Sequence, residues 1–156
     1  MPDGLIAQTA TIANNALLGH NVIIKDKVKI GEGCVIGNNV VIHEDSIIGS
    51  NVRIDDNAVI GKLPMKAANS ATTKTDVLPP CEIGNDCIVG TAVVIYRGCI
   101  IGNKVLLADL STVRENVKVG TGTIIGRGVA IENLCTIGEY CKLETNVYLT
   151  AYSTVE

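Results

Sequence analysis

Aliphatic residues recur along this chain at every sixth position. Ile6, Ile12, Leu18, Ile24, Ile30, Ile36, Ile42, Ile48, Ile54 and Ile60 form one unbroken run. A second run starts at Ile83 and passes through Val89, Ile95, Ile101, Leu107, Val113, Val119, Ile125, Ile131, Ile137, Leu143, Leu149 and Val155. The residue two places before each is small or β-branched, as in Val22, Val28, Cys34, Val40, Cys81, Cys87, Val93 and Ser111. Two residues apart on a strand means the same face, so the pair points inward together. Three places after each aliphatic, Asn, Gly or Asp is frequent: Asn21, Gly33, Asn39, Asp45, Asn51, Asp86, Gly98, Asn116. These residue types tolerate a left-handed backbone, which marks a corner. A short strand and a corner, three times over, closes a triangular coil of 18 residues, and stacked coils pair through parallel ladders. The pattern therefore predicts an all-β parallel β-helix of about eight coils forming one domain over 1–156, roughly 40 Å tall at the usual strand spacing.

Composition agrees with a narrow, regular interior. The 156 residues include no Phe, no Trp and only 4 Tyr, and all four Tyr miss the inward register. The six cysteines (Cys34, Cys81, Cys87, Cys99, Cys135, Cys141) all fall on the small inward position. They read as reduced, space-filling thiols, with Cys81 and Cys99 stacked on adjacent coils. A metal site is not expected, since inward thiols lack converging partners and an entry route. A net charge of −3, with no basic run, gives no sign of nucleic-acid binding. No stretch approaches the roughly 20 apolar residues of a membrane span, and the N-terminus lacks the layout of a signal peptide. Cytoplasm is the default location.

The pattern "[ILV]-G-x-x-[small]-x" resembles the hexapeptide-repeat acyltransferases, over nearly the whole chain outside 61–76. The resemblance implies a left-handed β-helix; handedness comes from it alone, since crossovers are right-handed as a general rule. The stretch "IGRGVAIENLCTIGEYCKLETNVYL" is similar to bacterial sugar-nucleotide N-acetyltransferases, which move acetyl from acetyl-CoA to the amine of a nucleotide-linked amino sugar. Such enzymes continue through further coils, whereas this sequence stops at "YSTVE". The resemblance thus implies that this is an N-terminal portion lacking the last coils. It also implies a homotrimer with active sites in the clefts between subunits. An outward apolar stripe of Leu5, Ile23, Val41 and Val59 supports that expectation. With a loop of about eleven added residues, the stripe would continue through Ile88, Leu106 and Ile124.

The register breaks at "GKLPMKAANSATTKTDVLPP", read as a loop over 61–76 with Val77 restarting the hexad. Lys62, Lys66 and Lys74 in it could meet phosphates of a nucleotide or CoA, as loops in related enzymes reach a neighbouring active site; the plainer reading is a solvated excursion. Acetyl transfer needs a neutral nucleophile, an oriented thioester and a donor for the oxyanion. His20 and His43 are the two histidines, and His43 in "VVIHEDSIIG", near a strand end, is the stronger candidate base; surface imidazole is the default for both. Where the amine arrives neutral no protein base is needed, and carboxylates and amides orient it. Glu132 and Asp109 are candidates for that catalytic role. Asn133, Glu144, Asn146, Tyr148 and Arg114, with Lys62 and Lys66, are candidates for binding substrate or CoA. Leu110, Leu134, Tyr140 and Tyr152 take corner positions usually given to Asn or Gly, a departure that often marks a site or an interface.

Three rivals compete. A β-helical carbonic anhydrase needs three zinc-binding histidines, and two are present. An ice-binding helix needs flat Thr ladders, which the mixed outer faces lack. A non-catalytic β-helical assembly module stays open and would show the apolar stripe without affinity for CoA.

Overall fold

The computed structural model describes residues 4–71 and 77–156. Among them are 23 short strands and no helix. The strands stack into three parallel sheets of eight, eight and seven. Every third strand lands on the same face, so Leu5 pairs with Ile23 and Ile24 with Ile42. The first face carries Leu5–Ile6, Ile23–Ile24, Val41–Ile42, Val59–Lys62, Val94–Tyr96, Thr112–Val113, Ala130–Ile131 and Tyr148–Leu149. The second face begins at Thr11–Ile12 and the third at Leu17–Leu18. The expected β-helix of about eight coils is what the chain forms.

The corners show why the hexad works. Asn21, Asn39, Asp45, Asn51, Asn57, Asp86, Asn116 and Asn146 adopt positive φ, as do Gly33, Gly98, Gly122 and Gly128. The interior is a single column of aliphatics: Ile24, Ile36, Ile42, Ile54, Ile60, Ile95, Ile101, Leu107, Ile125, Ile131 and Ile137 are at most 2 % exposed. Each such burial is worth about 2 kcal/mol, which is how two-residue strands become stable.

The cysteines are free and, Cys141 excepted, fully buried. They do more than fill space. Cys34 donates to the Gly49 carbonyl (3.0 Å), Cys87 to Gly102 (3.1 Å), Cys99 to Arg114 (2.9 Å) and Cys135 to Thr150 (3.1 Å). Thr123 does the same to Gly138 at 2.7 Å. In each case the acceptor lies fifteen residues ahead, at a corner whose carbonyl turns inward. A small donor at this position satisfies a buried acceptor that Val leaves to other groups.

The loop differs from expectation. The first-face strand runs on through Gly61 to Lys62, with a bulge that pairs Lys62 with Tyr96. The ladder resumes at Glu82–Ile83, and Val77, 97 % exposed, does not restart it. Corner ladders that span 18 residues elsewhere span 35 across the loop, so the insertion is longer than eleven. The outward stripes change accordingly. Leu5, Ile23, Val41 and Val59 continue into Val94, Thr112, Ala130 and Tyr148. Ile88, Leu106 and Ile124 belong to the third face instead, below Leu17, Val35 and Arg53. Both faces thus carry apolar outward residues.

Candidate functional site

The corner between the first and second faces collects the polar chemistry. The residue directly after each first-face inward aliphatic forms a column down it: Lys25, His43, Gly61, then Tyr96, Arg114, Glu132 and Thr150. The loop leaves the helix at this corner. Gly61 is required there: its φ is +78°, and a Cβ would sit 2.5 Å from the Ser46 hydroxyl and 3.4 Å from the His43 Cβ. The returning loop is clamped by Arg97, which donates to the Leu78 carbonyl (2.9 Å) and the Glu44 carbonyl (2.7 Å) and pairs with Asp45 (3.1 Å). Three of its five donors are thus spent on holding one loop end to the corner.

The upper part of the column surrounds His43. Lys25 Nζ lies 3.2 Å from His43 Nδ1, and Glu44 approaches both at 3.8 Å. The imidazole side chain is only 20 % exposed, so it is not the surface group that the plainer reading supposed. Burial, and then the Lys25 charge, hold its pKa below the usual 6.5; Glu44 opposes this and Lys62 adds to it.

The lower part is built on Tyr96, which is 4 % exposed although it points away from the interior. Lys62 Nζ stands 5.0 Å from its ring centroid and the Arg114 guanidinium 5.1 Å. Arg114 forks onto Glu115 (2.8 and 3.0 Å) and reaches Glu132 at 3.3 Å. Glu115 is 4 % exposed and Asn133, beside Glu132, is 2 % exposed. The buried carboxylate and the guanidinium thus satisfy one another, and burial is what opposes the charge of Arg114.

Of the residues singled out from sequence, His43, Lys62, Arg114, Glu132 and Asn133 share this corner. The others lie elsewhere. Asp109 accepts the Thr91 N–H at 2.8 Å, the task that Asp56 and Asn38 perform one and two coils above the loop on the same corner of the third face. Asn146 is a left-handed corner residue, φ 62°. Glu144 is exposed and pairs with Lys142 at 3.1 Å, and Tyr148 is 63 % exposed on the first face. Lys66 is an exposed loop residue, and Lys74 lies outside the described residues. His20 is exposed. Lys25, Tyr96, Arg97 and Glu115 were not singled out. Stepping by 18 from His43, or from Arg114, would have found Lys25 and Tyr96.

Leu110, Leu134, Tyr140 and Tyr152 do hold left-handed corners, with φ of 64°, 62°, 53° and 63°. Among the described residues no three His, Cys, Asp or Glu side chains converge to hold a metal, and no helix is long and apolar enough to cross a membrane.

This is the fold of the left-handed β-helix acyltransferases. Residues 9–44 and 27–62 match the family model of the bacterial transferase hexapeptide (six repeats). An acetyltransferase-assigned protein of Bacillus cereus has a similar structure, with a TM-score of 0.63 and 23 % identity over 89 % of this chain and 71 % of that one. UDP-N-acetylglucosamine acyltransferase from Campylobacter jejuni gives 0.60 and 20 %, over 94 % and 68 %. LpxA from Acinetobacter baumannii gives 0.56 and 20 %, over 97 % and 68 %. No curated protein matches the chain in sequence.

Proposed function

We propose that the chain is an acyltransferase that moves the acetyl group of acetyl-CoA to the amine of an amino sugar, nucleotide-linked in its natural form. One observation carries the reading. On a fold shared with acyltransferases, the corner where the loop leaves the helix also gathers a half-buried imidazole, two lysines and a carboxylate–guanidinium network.

In this reading the amine nitrogen attacks the thioester carbonyl carbon. A C–N bond forms and the C–S bond breaks. The sulfur leaves as thiolate and recovers the proton that the nitrogen loses. Glu132, held by Arg114 and 30 % exposed, orients the acceptor by accepting from its amine or hydroxyls. Asn133 supports that strand end. Lys62 and Lys66 meet phosphate oxygens. Asp109, Glu144, Asn146 and Tyr148 lie off this corner in one chain, and a homotrimer packed through its apolar outward faces is what would bring them to a shared cleft. The enzyme works in the cytoplasm, where its buried thiols stay reduced.

The test is release of free CoA thiol on mixing the chain with acetyl-CoA and a panel of amino sugars, free and nucleotide-linked. Transfer to an amino sugar that falls at least tenfold in Glu132→Gln supports the reading. A folded chain that consumes no acetyl-CoA with any acceptor defeats it.

A further inference from the structure

The roots of the loop bring together three hydrogen-bond donors that the chain itself leaves largely unused. Lys25 Nζ is 3.2 Å from His43 Nδ1. An ammonium has only donors, so Nδ1 must accept. The ring proton therefore sits on Nε2, which is then a donor rather than a base. The competing partner for Nδ1 is Glu44, and at 3.8 Å it is beyond hydrogen-bond range.

Charge points the same way. Glu44 lies 3.8 Å from Lys25 as well, close enough to attract it but not to use its donors. Lys62 rests on the Tyr96 ring at 5.0 Å, and among the described residues no carboxylate pairs with it. Its charge is felt at the His43 ring. Lys25 and Lys62 give this corner two ammonium groups, and Glu44 meets Lys25 and His43 only at 3.8 Å. The next charges on the corner, Arg97 and Asp45, neutralise each other. By contrast, the guanidinium of Arg114 below is already shared between two carboxylates. The bulge at Gly61 is what delivers Lys62 here, since it carries the strand one residue past the regular corner.

We propose that this corner binds a phosphate group, with Lys25, Lys62 and the Nε2–H of His43 as donors, and that Lys25 keeps His43 in the Nε2–H tautomer. His43 is thus a ligand-binding donor and not the base of the reaction. A multiply charged phosphoryl group suits two ammonium groups and an imidazole N–H better than a single carboxylate does. The identity of the compound that brings the phosphate, sugar diphosphate or CoA, rests on the acyltransferase reading; the phosphate site does not.

The experiment is two-bond 15N–1H NMR of the full chain labelled at histidine, at pH 7.5, with His20 as internal reference. The expected result is His43 with an unprotonated Nδ1 and a protonated Nε2. Adding inorganic pyrophosphate should shift the His43 Nε2 signal saturably and leave His20 in place. Lys25→Met and Lys62→Met should each weaken that response about tenfold, the scale of one charge-assisted hydrogen bond. Repeating the titration with UDP and with CoA assigns the source: a tighter response to UDP places the acceptor's diphosphate here, and a tighter response to CoA places the donor's. A proton on Nδ1, or His43 signals that none of the three probes moves, overturns the proposal. Pyrophosphate binding without any acetyl transfer would leave the phosphate site standing and remove the acyltransferase reading. Acetyl transfer with an unmoved His43 would do the reverse.

Discussion

The two halves of the polar corner both combine cationic side chains with carboxylates and differ in how their charges are settled. Below the loop, Arg114 is locked between Glu115 and Glu132 and stacked on Tyr96. Above it, Lys25 and His43 meet one carboxylate at 3.8 Å, and Lys62 rests on the Tyr96 ring. The first arrangement is closed. It resembles a structural clamp, whose removal damages the fold. The second is open, and its donors are available to something that is not part of the chain. A charged cluster on a repeat scaffold is therefore better judged by what it leaves unpaired than by how many charges it holds.

Glu115→Ala should break the closed half with the largest effect. It strips the guanidinium of its bidentate partner in a buried setting, and the loss is about 3 kcal/mol, read by urea unfolding. An unchanged midpoint would mean that Arg114 is hydrated after all. Next comes Gly61→Ala, at the boundary between the halves. The positive φ and the approach to Ser46 Oγ together cost about 2 kcal/mol. It should also weaken pyrophosphate binding, because the bulge that places Lys62 is disturbed. Leu110→Asn sharpens the comparison from outside both halves. Leu110 holds φ 64° while 57 % exposed, so Asn should stabilise the chain by up to about 1 kcal/mol without touching binding.

Lys25→Met has the smallest expected effect on stability, within about 0.5 kcal/mol, since the lysine side chain is 37 % exposed. Its signature is in pH. His43 has a folded pKa below 6.5. The unfolded chain therefore takes up a proton first as pH falls, so the stability linked to His43 is present above pH 6.5 and is lost below it, down to the folded value. Removing the Lys25 charge raises that folded value and shortens the window of loss. Acid titrations of Tm in both proteins show whether it does. The interior gives the opposite sign: burial pushes Cys99 up to about 12, so the unfolded chain loses its thiol proton first as pH rises above 9, and stability is lost between those values.

The fold was nearly all legible, because one physical demand, an aliphatic inside and a left-handed corner outside, repeats at Ile6 and at Val155 alike. The loop length was not, since polar loop residues carry no register, and Val77 in phase with Ile83 is a coincidence that exposure exposes. The site was half legible. His43, Arg114 and Glu132 stood out as chemistry-bearing residues. Their partners did not, because Lys25 and Glu115 look like ordinary surface charges until coils 18 residues apart are stacked. Asp109 illustrates the converse: a carboxylate in a promising motif that the corner ladder accounts for through the Thr91 N–H.

Acyl transfer at this corner requires the chain to bind acetyl-CoA, which calorimetric titration of the intact chain measures. Saturable binding at about micromolar strength, one site per chain, is the expected result, in the range usual for such substrates. A folded protein that shows no heat of binding up to roughly millimolar acetyl-CoA would contradict it.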